Sequence, residues 1–73
     1  MLVNLNSIDK VKEFVQITSQ FEERIDLISG RYVIDGKSIL GIFSLDLTKP
    51  IGVHVVGASL NEKIEEKLQK FKV

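Results

Sequence analysis

VIDGKSILGIFSL, residues 33–45, runs from a strand-like end through Asp35-Gly36-Lys37-Ser38 into an apolar segment. Arg31 to Asp35 is rich in β-branched and aromatic residues. Tyr32 and Ile34 fall on one face of that strand and Val33 on the other. Asp35-Gly36 ends it, and Ser38 stands where an N-cap would open a short helix. Ile39, Leu40, Ile42, Phe43 and Leu45 are too many for one narrow apolar stripe. Either the helix is buried on most sides, or part of it is exposed. Thr48, Lys49 and Pro50 break the segment.

Outward from this stretch the pattern is regular. Ser29-Gly30 permits a turn, and before it Ile25 and Leu27 alternate with Arg24 and Asp26, which predicts another strand. Further back, Asn6-Ser7 supplies an N-cap and Asp9 places a negative charge in the first turn. Ile8, Val11, Phe14 with Val15, Thr18 and Phe21 follow at steps of three and four, predicting a helix of about 13 residues with one apolar stripe. Leu2 to Leu5 predicts a short first strand. Downstream, Gly52 to Gly57 predicts a fourth strand, with Val53 and Val55 on one face and His54 and Val56 on the other. Ser59-Leu60-Asn61-Glu62 has the form of a capping box. The helix it opens would bury Leu60, Ile64, Leu68 and Phe71, with Glu66 four residues before Lys70.

The order is β-α-β-β-α-β-α, and it predicts an α+β two-layer sandwich: a four-stranded sheet with helices on one face. At 73 residues the chain forms one domain over residues 1–73, and a domain this small is marginally stable without help. There is no cysteine, hence no disulfide and no thiolate metal site. A single histidine, His54, makes no zinc site alone. Ten basic and ten acidic residues cancel, which leaves none of the basic excess of a nucleic-acid binder. No apolar run approaches the roughly 20 residues that span a bilayer. Met1-Leu2-Val3-Asn4 lacks the features of a signal peptide. The reading is a complete, soluble protein of the cytoplasm, with no metal and no cofactor.

VIDGKSILGIFSL between the third strand and the middle helix, FVQITSQFEERIDL before it and VHVVGA after it resemble the histidine-containing phosphocarrier protein (HPr) of the bacterial sugar phosphotransferase system. The likeness runs without a gap from about Val11 to Leu47, and lysine-serine before this apolar pattern is its most specific part. The resemblance implies an open-faced sandwich with an antiparallel sheet in the order 1-4-2-3. It also implies a site that this chain has altered. The family's phosphoryl acceptor is a histidine at the start of the first helix, followed closely by arginine and proline. Ser7, Asp9 and Lys10 occupy those positions here, and the family's loop between the first strand and the histidine is missing, since only six residues precede Ser7. A carrier needs an imidazole nitrogen, because a serine phosphate is too stable an ester to pass its group on. Aspartate repels the phosphate that arginine would hold. The chain is expected not to be an enzyme and not to carry phosphoryl groups.

Ser38 matches the family's second site, a regulatory serine modified by an ATP-dependent kinase. Phosphate there would sit at a helix N-terminus beside Lys37, where unpaired amides favour an anion. The plain alternative is a helix cap. Ile39, Leu40 and Phe43 match the apolar patch through which the family touches its partners; the plain alternative is that they are core. His54, in mid-strand, is expected to be solvent-facing rather than a substitute acceptor. The resemblance therefore implies a regulatory relative with Ser38 as phosphorylation site and Lys37, Ile39, Leu40 and Phe43 as contact surface. Its partners would be an HPr kinase and a LacI-family transcriptional regulator. The alternative is an interaction or structural module without phosphate chemistry, which pairs by this patch or by its strand edges with another protein or as a homodimer.

Overall fold

Gly30 turns the chain at φ +59°, a conformation glycine adopts without cost, and the strands on either side fold back on each other. A computed structural model describes residues 1–57 and 62–73. Around this turn, β2 (Ile25–Ser29) pairs antiparallel with β3 (Tyr32–Asp35), Leu27 opposite Ile34 and Ile28 opposite Val33. β4 (Ile51–Val55) lies on the other side of β2, with Asp26 opposite His54. β1 (Leu2–Val3) closes the far edge against β4. The sheet order is β1-β4-β2-β3, antiparallel throughout.

Three helices complete the expected order: α1 (Ile8–Thr18), α2 (Ile39–Phe43) and α3 (Glu62–Leu68), the last running into a 3-10 turn at Gln69–Phe71. The core between the layers holds Val3, Ile25, Leu27, Ile51, Val53 and Val55 from the sheet. Val11 and Phe14 of α1, Ile42 of α2, and Ile64, Leu68 and Phe71 of the last segment meet them. Phe14 and Phe71 contact edge to face, ring centres 5.4 Å apart, so the first and last helices are locked by one aromatic pair. No helix among the described residues is long and apolar enough to cross a membrane.

Four local expectations are corrected. Ile8 is 61% exposed; it is the first residue of α1, and the apolar stripe begins one turn later at Val11. α1 stops at Thr18, so Phe21 lies beyond the helix and is only half-buried. β4 starts at Ile51, directly after Pro50, and ends at Val55. Lys70 pairs with Glu13 of α1 at 2.8 Å. The capping box expected at Ser59, Leu60 and Asn61 lies outside the described residues, as does the expected burial of Leu60.

Candidate functional site

The candidate site begins with the turn that delivers the chain from β3 to α2. Gly36 is pressed against β2: its amide donates to the Ile25 carbonyl at 2.7 Å. A Cβ at this position would stand 2.9 Å from that oxygen, which is why the turn takes glycine. The Gly36 carbonyl accepts from the buried Thr18 hydroxyl at 2.8 Å. Lys37 donates its amide to Asp35 Oδ1 at 2.9 Å and its ammonium to the Phe21 carbonyl. Three elements thus fix the residues immediately before Ser38. The sequence carried a hint of this in Thr18, a polar residue on an apolar stripe, but its partner lies 18 residues away.

Ser38 then caps α2. Its backbone is extended at φ −101°, ψ 105°, and its hydroxyl oxygen accepts from the Gly41 amide at 3.1 Å. Its own amide donates to the Asp35 carbonyl at 3.0 Å. α2 is only one turn and a half, and Ile42 is its one fully buried side chain. Gly41 lets the helix sit down on β3, since a Cβ there would lie 2.7 Å from Ile34 Cγ2. With Ile42 and Gly41 turned inward, Leu40 is left 81% exposed and Phe43 40% exposed, while Ile39 is half-buried. Ser38, Leu40 and Phe43 therefore occupy one short helix. Lys37 is held by Phe21 rather than by the serine.

Ser7 caps α1 in the same manner, accepting from the Lys10 amide at 3.1 Å. Lys10 reaches back to Asn6 Oδ1 at 3.0 Å, and Asp9 stands in the first turn. No imidazole belongs to this helix start. His54 is exposed on β4 between the buried Val53 and Val55. Alternation along the strand puts it on the open face of the sheet, opposite to the helices, in register with Asp26. Among the described residues no three histidine or acidic side chains gather where they could hold a metal ion.

No protein-family model matches the chain, and no curated sequence matches it. Solved structures do. HPr-C-His from Thermoanaerobacter tengcongensis superposes with a TM-score of 0.74 at 24% identity, covering 93% of this chain and 76% of that one. Crh, the Bacillus subtilis catabolite repression containing protein, superposes with a TM-score of 0.71 at 22% identity, covering 100% of this chain and 87% of that one. That protein is described as a domain-swapped, intertwined dimer. The fold is accordingly the HPr-like open-faced sandwich expected from the sequence.

Proposed function

We propose that this chain is a relative of HPr that does not carry phosphoryl groups and acts through protein contacts made by α2, with Ser38 as a phosphorylation site. The observation that carries the reading is the placement of a cap serine on the same short helix as the exposed Leu40 and Phe43. A phosphate on Ser38 adds a charge of about −1.5 to −2 at the edge of an apolar contact surface. It alters what the surface can dock without requiring the fold to move. The start of α1 offers a serine hydroxyl and an aspartate where a carrier needs imidazole and a cation. His54 faces away from every helix, so it supplies no substitute. The protein is then not an enzyme. It works in the bacterial cytoplasm as substrate of an HPr kinase and ligand of a LacI-family regulator.

A second reading has its own support. The Ser38 hydroxyl already satisfies the Gly41 amide, and Lys37 is already committed to Phe21. A cap this complete needs no phosphate, and the Leu40 and Phe43 surface would then bind an unmodified protein partner. Intact mass after incubation with ATP and an HPr kinase separates the two. One added phosphate on the wild type and none on Ser38→Ala supports regulation. An unchanged mass for both proteins leaves Ser38 as a cap and the surface as a plain interaction module.

A further inference from the structure

β3 is an outer strand of the sheet, and the way its hairpin closes decides which backbone groups face outward. The loop is Gly30-Arg31, with Ser29 opposite Tyr32. Only Gly30 of the loop has positive φ, the pattern of a type II′ turn. The pair that closes such a loop exchanges both backbone hydrogen bonds, and the ladder alternates from there. Tyr32 and Ile34 therefore turn their N–H and C=O toward β2. Val33 and Asp35 turn theirs to the open side. The Asp35 carbonyl is taken by the Ser38 amide. The Val33 N–H and C=O and the Asp35 N–H face a side where no strand of the sheet lies.

Edge strands are usually blunted by lysine, proline or a bulge. Residues 31–35 contain no lysine and no proline, and their register against β2 is unbroken. Tyr32 is 64% and Val33 59% exposed, and Arg31 and Asp35 are exposed as well. Arg31 enters no ion pair among the described residues.

We infer that β3 pairs antiparallel with β3 of a second copy of this chain, on a two-fold axis through Val33. The charges select this register. It places Arg31, the loop residue just before β3, opposite Asp35 of the other copy, two opposite-sign pairs flanking the axis. Tyr32 falls opposite Ile34 on the helix face. Centring on Asp35 instead, the other outward residue of β3, sets two carboxylates against each other. Centring on Tyr32 or Ile34 puts at the axis backbone groups that are already turned toward β2. The apolar residues agree with the choice. Leu2, Gly52, Ile28 and Val33 form one row across the open face, and pairing at Val33 continues that row into the second copy. The pairing involves only residues 31–35 of each copy, against the roughly 20–30 residues a side of a standard interface, so the dimer is a weak one. The inference is independent of any phosphate chemistry at Ser38.

Sedimentation equilibrium tests it. The apparent mass of the wild type should rise with concentration from that of the 8.2 kDa chain toward twice that value. Arg31→Glu should weaken association at least tenfold, and Arg31→Glu combined with Asp35→Lys should restore it. Asp35→Lys also removes an acceptor of the Lys37 amide, so a second measurement uses the wild-type charges. Val33→Cys adds the only thiol to a cysteine-free chain. The central pair holds its Cα atoms about 5.5 Å apart, within disulfide range. Oxidation should trap a covalent dimer of Val33→Cys far faster than one of His54→Cys, on an interior strand. A chain that stays monomeric at millimolar concentration overturns the inference. So does a dimer indifferent to Arg31→Glu, as an intertwined dimer would be, or cross-linking at Val33 no faster than at His54.

Discussion

Ser7 and Ser38 open helices with the same bond, hydroxyl to the amide three residues on, at 3.1 Å in both cases. The helices that the two serines open are unlike. α1 is 11 residues long, carries Asp9 in its first turn and buries Val11, Phe14 and Thr18. α2 has five residues, no acid in its first turn and one fully buried side chain, Ile42. Ser7 belongs to a helix that the core holds in place over most of its length. Ser38 belongs to one placed from outside, by Gly36, Lys37 and Asp35 before it and by the close approach of Gly41 to Ile34. An identical cap can serve anchorage in one place and presentation in the other, and the second arrangement leaves Leu40 and Phe43 at the surface.

The largest effect should appear where that contrast is one of burial. Phe14→Ala removes the α1 half of the Phe14–Phe71 contact and opens a cavity in the core. The expected loss is about 3–5 kcal/mol, a large part of the stability of a domain this small. Leu40→Asp on α2 should change stability by no more than about 0.5 kcal/mol, because its side chain is almost wholly exposed. Urea unfolding of both variants measures the contrast. A cost at Leu40 approaching that at Phe14 would make α2 a core element and remove the contact surface.

The caps come next. Ser7→Ala and Ser38→Ala should each cost about 1 kcal/mol, read as equal shifts of the urea midpoint with unchanged slope. Equal costs would place the difference between the serines in what their helices present. A Ser38→Ala cost near zero would mean that α2 is held by its neighbours alone, which would free Ser38 for modification without loss of the fold.

The element order and the faces of β2, β3 and β4 were legible because alternation over four or five residues is a local signal. The sheet order was not local and came through the likeness of VIDGKSILGIFSL and its flanks to a known family. Periodicity overreached at Ile8, since it treats a helix as endless while the first turn of α1 projects past the core. It was also blind to what holds Ser38. The donors and acceptors at Thr18, Phe21 and Ile25 reach the 36–38 turn from other elements, and no spacing rule encodes such a meeting. Alternation puts Asp26 on the polar side of its strand. It is buried there, 7% exposed, because β3 and β4 flank it on the open face and Arg24 covers it with an ion pair at 3.2 Å.

The smallest expected effect lies just beyond α2, where the chain turns toward β4. Asp46 Oδ1 accepts from the Thr48 hydroxyl at 2.6 Å and from the Thr48 amide at 3.1 Å. The hydroxyl bond first, then the amide and the nearby Lys49, hold the Asp46 carboxyl below the ordinary aspartate value. A carboxyl whose folded pKa is depressed adds stability above its unfolded pKa and loses it as pH falls through the folded one. Asp46→Asn should therefore soften the acid limb of the stability curve slightly and lower stability a little at neutral pH, where the contribution is fully present. Thr48→Ala should return the Asp46 titration, followed by carboxylate NMR, toward the ordinary value. If the titration does not move, the turn after α2 is held by backbone geometry and not by the Asp46–Thr48 bonds, and no side chain beyond the Ser44 cap helps to place the end of α2. That outcome would sharpen the contrast with α1, whose position is set by the core behind it.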